Sequence, residues 1–198
     1  MKYIITIALG LLTNILFGQE IKVLEKVPIG AKIEQGQTII CGNFIQRLGF
    51  SSGGFPQDII IQNIETKEYF KFRVKPTYKS RKENSFCFYI KHGTYQIISY
   101  VWTQSKWYGG MMYGEPIFKG IDVTEYLEKN KEIPQEIYEN SSLRYSFTLG
   151  ENSLYYLGTW NFNTGLVFFT NDLSKFTEEM VSEYKKLDFS KASTEIPD

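Results

Sequence analysis

From Gln37 to Thr170 the chain repeats one pattern: short apolar and aromatic runs, each closed by glycine, proline, asparagine or a cluster of charges. Runs this short, at this spacing, form strands and exclude a helical bundle. The clearest is Glu68–Val74, where Tyr69, Lys71 and Arg73 alternate with Phe70, Phe72 and Val74. That period of two marks a half-buried strand. Asp58–Asn63 precedes it across Ile64-Glu65-Thr66-Lys67, which predicts a hairpin. Ser85–Ile90 and Thr94–Thr103 predict a second hairpin, closed by Lys91-His92-Gly93, where Gly93 accepts a positive φ at little cost. Gln37–Gln46 is a largely apolar run interrupted by Gly42, the mark of a bulge or a close backbone approach. Leu143–Leu149, Ser153–Phe162 and Leu166–Thr170 add three strands, the last two turning at Asn163-Thr164-Gly165. Ile21–Leu24 reads as an edge strand. The 14 Tyr and 15 Phe fit a β domain, because aromatic rings pack well on a pleated surface.

The two ends of the chain read differently. Lys2, the uncharged run Tyr3–Phe17 and the small Gly18 have the parts of a signal peptide over residues 1–18. The apolar run is too short to span a bilayer as a helix, so no transmembrane span is expected after cleavage. Residues 19–36 form a lead-in, 37–189 the domain, and 190–198 a flexible polar tail. A helix is expected over about 172–187, capped by Asn171 or Asp172, with Leu173, Phe176, Met180, Val181 and Tyr184 on one face. Residues 121–142 are a polar connector with a short helix at Val123–Asn130. The architecture this predicts is mainly β, an antiparallel β-sandwich with one C-terminal α-helix.

Some of these runs resemble a known family. Phe86-x-Phe88-x-Ile90-x-x-Gly93-x-Tyr95, the upstream Ile59-Ile60-Ile61-Gln62-Asn63-x-x-Thr66 and Tyr155-Tyr156-Leu157-Gly158-Thr159 resemble strands of transthyretin-like, carboxypeptidase-regulatory-type domains of bacterial envelope proteins. Lys91-His92 stands where those hairpins carry two prolines, and Lys67 where the turn carries glycine. The resemblance implies a prealbumin- or immunoglobulin-like sandwich serving as an accessory or binding module, with no catalytic residues and no cofactor.

Independent of that resemblance, catalytic signals are sparse. His92 is the sole histidine and sits in a predicted turn, so a triad built on it has little support. Gly49-Phe50-Ser51-Ser52-Gly53 fits the G-x-S-x-G pattern, with Asp58 and His92 following in order. Gly54, Phe55 and Pro56 follow it, however, where a nucleophile elbow needs a helix. Asp58, Glu115 and Asp122 are candidates for a glycosidase-type carboxylate pair. No metal-ligand spacing occurs, and Cys41, Cys87 and His92 alone do not make a zinc tetrad. Cys41 and Cys87 lie in strand-like runs; outside the cytoplasm they are free to form a disulfide or to remain buried thiols. The chain carries 22 basic and 22 acidic residues, interspersed, which excludes the basic face of a nucleic-acid binder.

The strongest binding candidate is the glycine-flanked stretch carrying Trp107, Tyr108, Met111, Met112 and Tyr113. Aromatic rings give large contact area at low entropic cost. These residues either form a loop-tip site for a protein or glycan partner or fold back as a lid on the core. The functional expectation is an exported, non-enzymatic protein of the periplasm or outer cell envelope, or one fully secreted. A small secreted hydrolase and a purely structural envelope component are the alternatives.

Overall fold

The computed structural model describes residues 20–45, 56–76, 83–106, 109–163 and 165–198. The expected signal segment 1–18 and the G-x-S-x-G stretch lie outside the described residues. The chain is mainly β. Its strands are β1 (Ile21–Val23), β2 (Thr38–Ile45), β3 (Gln57–Asn63), β4 (Tyr69–Lys75), β5 (Glu83–Ile90), β6 (Gly93–Lys106), β7 (Gly109–Pro116), β8 (Ser146–Leu149), β9 (Leu154–Asn163), β10 (Leu166–Thr170) and β11 (Ser193–Thr194). Helices α1 (Thr124–Glu128) and α2 (Gln135–Glu139) lie in the connector, and α3 (Leu173–Val181) follows β10.

Among the described residues the strands form two sheets. One runs β1-β4-β3-β6-β7, with β8 also on β6; the other runs β10-β9-β2-β5, with β11 also on β9. Most pairs are antiparallel, but β1–β4, β2–β9 and β11–β9 are parallel, so the sheets are mixed where antiparallel ones were expected. The inward residues of both sheets make one core: Ile40, Phe44, Phe86 and Trp160 from one, Ile59, Phe72, Tyr95 and Tyr100 from the other. Trp160 lies at its centre, edge-on to Phe72 and Phe86, and its indole N–H donates to the Leu157 carbonyl at 2.8 Å.

Strand β2 is buried along nearly its whole length because it is covered on both faces. Ile40 and Phe44 face the main core, while Ile39 and Cys41 face a second cluster under α3, with Leu154, Tyr156, Phe176 and Met180. Gly42 is opposite a bulge in β9: a side chain there would meet the Gly158 carbonyl and the Phe86 ring at 2.8 Å. The close approach expected at Gly42 is therefore real.

Three expectations change. Strands β5 and β6 do not form a hairpin: β5 pairs with β2, and β6 with β3, β7 and β8, so Lys91-His92 carries the chain from one sheet to the other. Gly93, at φ 137°, passes against the Asn63 amide there. The C-terminal helix stops at Val181, which is 51% exposed, and Tyr184 reaches the core from the following turn instead. Of the two expected caps, Asn171 accepts from the Leu173 N–H at 3.3 Å, whereas the Asp172 carboxylate is taken by the Thr170 hydroxyl at 2.6 Å. Residues 190–198 are docked rather than frayed: β11 pairs with β9, Pro197 is buried, and Ser146 and Asp198 exchange backbone hydrogen bonds. The sequence of this tail is polar, but Ile196 packs on the second cluster.

The N-terminal lead-in closes one side of the molecule. Leu24 N–H donates to Lys71 O in the first sheet, and from the next residue on, Tyr89 N–H donates to Glu25 O and Val27 N–H to Cys87 O in the second. Residues 21–27 thus form a strap across the two sheet edges, covering backbone groups that would otherwise be open to other chains.

Candidate functional site

The predicted aromatic loop is largely strand. Residues Ser99–Lys106 of β6 pair with β7 down to Lys106↔Gly109, leaving Trp107 and Tyr108 between them, outside the described residues. Among the described residues, pairing of β6 with β3 ends at Gln57↔Trp102, so Thr103↔Met112 and the pairs beyond it run on there as a two-stranded arm. At ~3.4 Å per residue the arm extends on the order of 10 Å past the last β3 pair. An isolated two-stranded ribbon is marginal in water, and the base of this one is pinned. Trp102 is buried and stacks on Tyr113 with centroids 4.5 Å apart, and its indole N–H donates to Glu115 Oε1 at 3.1 Å.

Met111 and Met112 do not fold back as a lid: they are 43% and 76% exposed, on opposite faces of the arm. Tyr113 is half-buried against Trp102, and its hydroxyl reaches the Met111 sulfur at 3.7 Å. Of the predicted binding residues, the structure therefore brings Met111, Met112 and Tyr113 together on one edge strand. The far edge of β7 has no partner strand among the described residues.

Cys41 and Cys87 are directly opposite each other in β2 and β5, with Cα atoms 4.2 Å apart, and are joined by a disulfide. Both are fully buried beneath α3, so the bond is placed to hold structure.

The residues weighed for hydrolysis are dispersed. His92 is exposed, with Nδ1 3.4 Å from Glu151. Asp58 accepts from Arg73 at 2.9 Å, Glu115 from Trp102, and Asp122 from the Thr124 backbone at 2.9 Å. A general acid needs a carboxyl pushed upward. Hydrogen bonds from Thr124 pull Asp122 down, and the bond from the Lys22 ammonium does the same to Glu68. No group of three or more metal-ligating side chains occurs among the described residues, and no helix there is long and apolar enough to cross a membrane.

Two polar features had no sequence signal. Lys75 is fully buried, and burial pulls its ammonium pKa down; it is opposite Gln57, whose Oε1 accepts from the Tyr100 hydroxyl at 2.5 Å. A register shift beside Gln57 turns Lys75 inward against the alternation of its strand. At the opposite end of the strands from the arm, a cleft of about 350 Å³ opens between the β1–β4 edge and the end of β5. Lys22, Gln37, Glu68, Phe70 and Lys91 are among its lining residues, drawn from four separate segments, which is why no local motif marks it.

The sequence matches no family model and no curated protein. Among solved structures the chain is similar to a leucine-rich repeat protein from Bacteroides thetaiotaomicron, at 12% identity and a TM-score of 0.37. The similarity covers 66% of this chain and 14% of that one.

Proposed function

We propose that this chain is an exported, non-enzymatic β-sandwich protein of the bacterial cell envelope, related in kind to the transthyretin-like modules, that binds a partner protein through the β6–β7 arm. The observation that carries this reading is the edge of β7, which has no partner strand among the described residues and leaves Met111 and Met112 exposed. Soluble proteins blunt such edges with lysine, proline or a covering segment. Here the only proline of β7 is Pro116, at its last position, and β7 has no lysine. An open strand edge recognises an extended peptide by backbone hydrogen bonds, with side chains to either face giving specificity. Methionine suits such a surface because its unbranched side chain adapts to the partner. Export rests on the N-terminal segment, and the Cys41–Cys87 disulfide agrees with an oxidising compartment.

The test is capture from the envelope fraction of the source cells, comparing the intact domain with the double variant Met111→Glu, Met112→Glu. Both side chains are exposed, so the variant should keep its melting temperature and lose the partner. Equal capture by both proteins would sink the reading. Self-association of the intact domain, abolished in the variant, would replace it with a structural role in assembly.

A further inference from the structure

The cleft at the other end of the sheets, remote from the arm, is independent of that reading. Its floor is apolar: Leu24 and Ile90 are buried members of the main core, and Phe70 packs against it, edge-on to Tyr95. Its rim is polar and balanced in charge, with Lys22 and Lys91 against Glu25 and Glu68. Lys22 is bound to Glu68, whose second oxygen accepts from the Thr66 hydroxyl at 3.2 Å, so this pair is already satisfied.

The walls are held from behind. Tyr95 donates its hydroxyl to the Lys91 carbonyl at 2.9 Å, Gly36 N–H donates to the Asn152 side chain, and the Thr38 hydroxyl donates to Gly150 O at 2.7 Å. One polar atom in this wall is not provided for: Gln37 Oε1 is buried and has no donor among the described residues. A buried acceptor left alone costs about 1–3 kcal/mol, and native structures keep few of them. The last torsion of a glutamine is broad, so the amide can turn to meet a group in the cleft.

We infer that this cleft is a site for a neutral saccharide. Its volume lies within the span of small-ligand sites, roughly 300–1,000 Å³. Balanced charge gives no net attraction for an anion or a cation. A carboxylate or a fully ionised phosphate offers Gln37 Oε1 no donor, and an ammonium cannot accept from Lys91. A hydroxyl does both, and a ring bearing several hydroxyls meets Gln37 and Lys91 at once. The C–H face of the same ring covers the Leu24, Phe70 and Ile90 floor.

The experiment is a titration of the ¹⁵N-labelled mature domain with glucose, galactose, N-acetylglucosamine and their β-linked disaccharides, followed by amide shifts and calorimetry. Glucosamine and glucuronic acid serve as charged controls. At least one neutral sugar should give saturable shifts at Gln37, Phe70, Ile90 and Lys91, and bind more tightly than its charged counterpart. Gln37→Leu should weaken that binding by about fivefold to tenfold, the loss of one net hydrogen bond, without lowering the melting temperature. The double arm variant should bind the sugar unchanged, which separates this site from the arm. No saturable shift from any neutral sugar, shifts confined to other residues, or a Gln37→Leu protein that binds normally would overturn the assignment.

Discussion

Tyr184 shows how one side chain ties the stability of this fold to pH. It is buried beside α3 and donates its hydroxyl to Val27 O at 3.4 Å, and burial pushes its phenol up to about 12. Burial also raises Tyr95, Tyr145 and Tyr156. An unfolded tyrosine loses its proton near pH 10, while the folded protein keeps it on Tyr184 until about pH 12. Between those values the unfolded state binds fewer protons, so stability falls as pH rises, on the order of 1 kcal/mol per pH unit for this one group. Denaturant midpoints measured across that window should fall steadily, and Tyr184→Phe should flatten the slope. A midpoint independent of pH would show that Tyr184 titrates normally. Individual side chains were the least legible part of the sequence. That Gln37 Oε1 is buried without a donor among the described residues, or that Lys75 turns inward, depends on neighbours from distant segments and on a register shift. Lys67 is different: it occupies a turn position where glycine was expected, and it takes the left-handed φ of 61° that favours glycine there.

At the scale of elements, most strands and the local hairpins were readable, and partnership between strands distant in sequence was not. The hairpins β3–β4 and β9–β10 follow from local alternation and a turn, and both pair as expected. Lys91-His92-Gly93 serves as well to cross between sheets as to close a hairpin, because β5 and β6 each have an apolar face that some sheet can bury. Strand β7 carries no such signal, since its outer half is exposed on both faces, which removes the period of two. Gly42 was legible as a close approach but not as to what approaches it. With Gly158 O and Phe86 Cζ both 2.8 Å from where a Cβ would sit, Gly42→Ala must move a backbone carbonyl in β9 or a core ring. It should destabilise the protein by about 2–4 kcal/mol, read as a lowered denaturant midpoint with an unchanged slope. A loss below about 0.5 kcal/mol, the range of surface changes, would mean that the β9 bulge yields freely.

For the whole molecule, the order of the strands sets what holds the two sheets together. The strap at residues 21–27 and the docked C-terminal segment both lie at the ends of the chain, and both secure edges of the sheets. The disulfide closes a loop of 46 residues that contains all of β3 and β4. By loop entropy such a link stabilises by about 4 kcal/mol. Cys41→Ala, Cys87→Ala should therefore lower the unfolding free energy by about 2–4 kcal/mol, and reductant should lower that of the native protein but not of the variant. Equal stability of the two would place the constraint in the packing of α3 alone.

Strand β2 also fixes the timetable of folding. Its antiparallel neighbour β5 arrives soon after it in the chain, whereas its parallel neighbour β9 comes more than half the chain later, with Ile39 pairing to Leu154. Closing so long a loop before any contact rewards it is slow. The β2–β5 pair and its disulfide can form early, but the faces of β2 stay uncovered until β9 and then α3 arrive. Until β9 and α3 are in place, the apolar side chains on both faces of β2 lack the cover that the folded protein gives them.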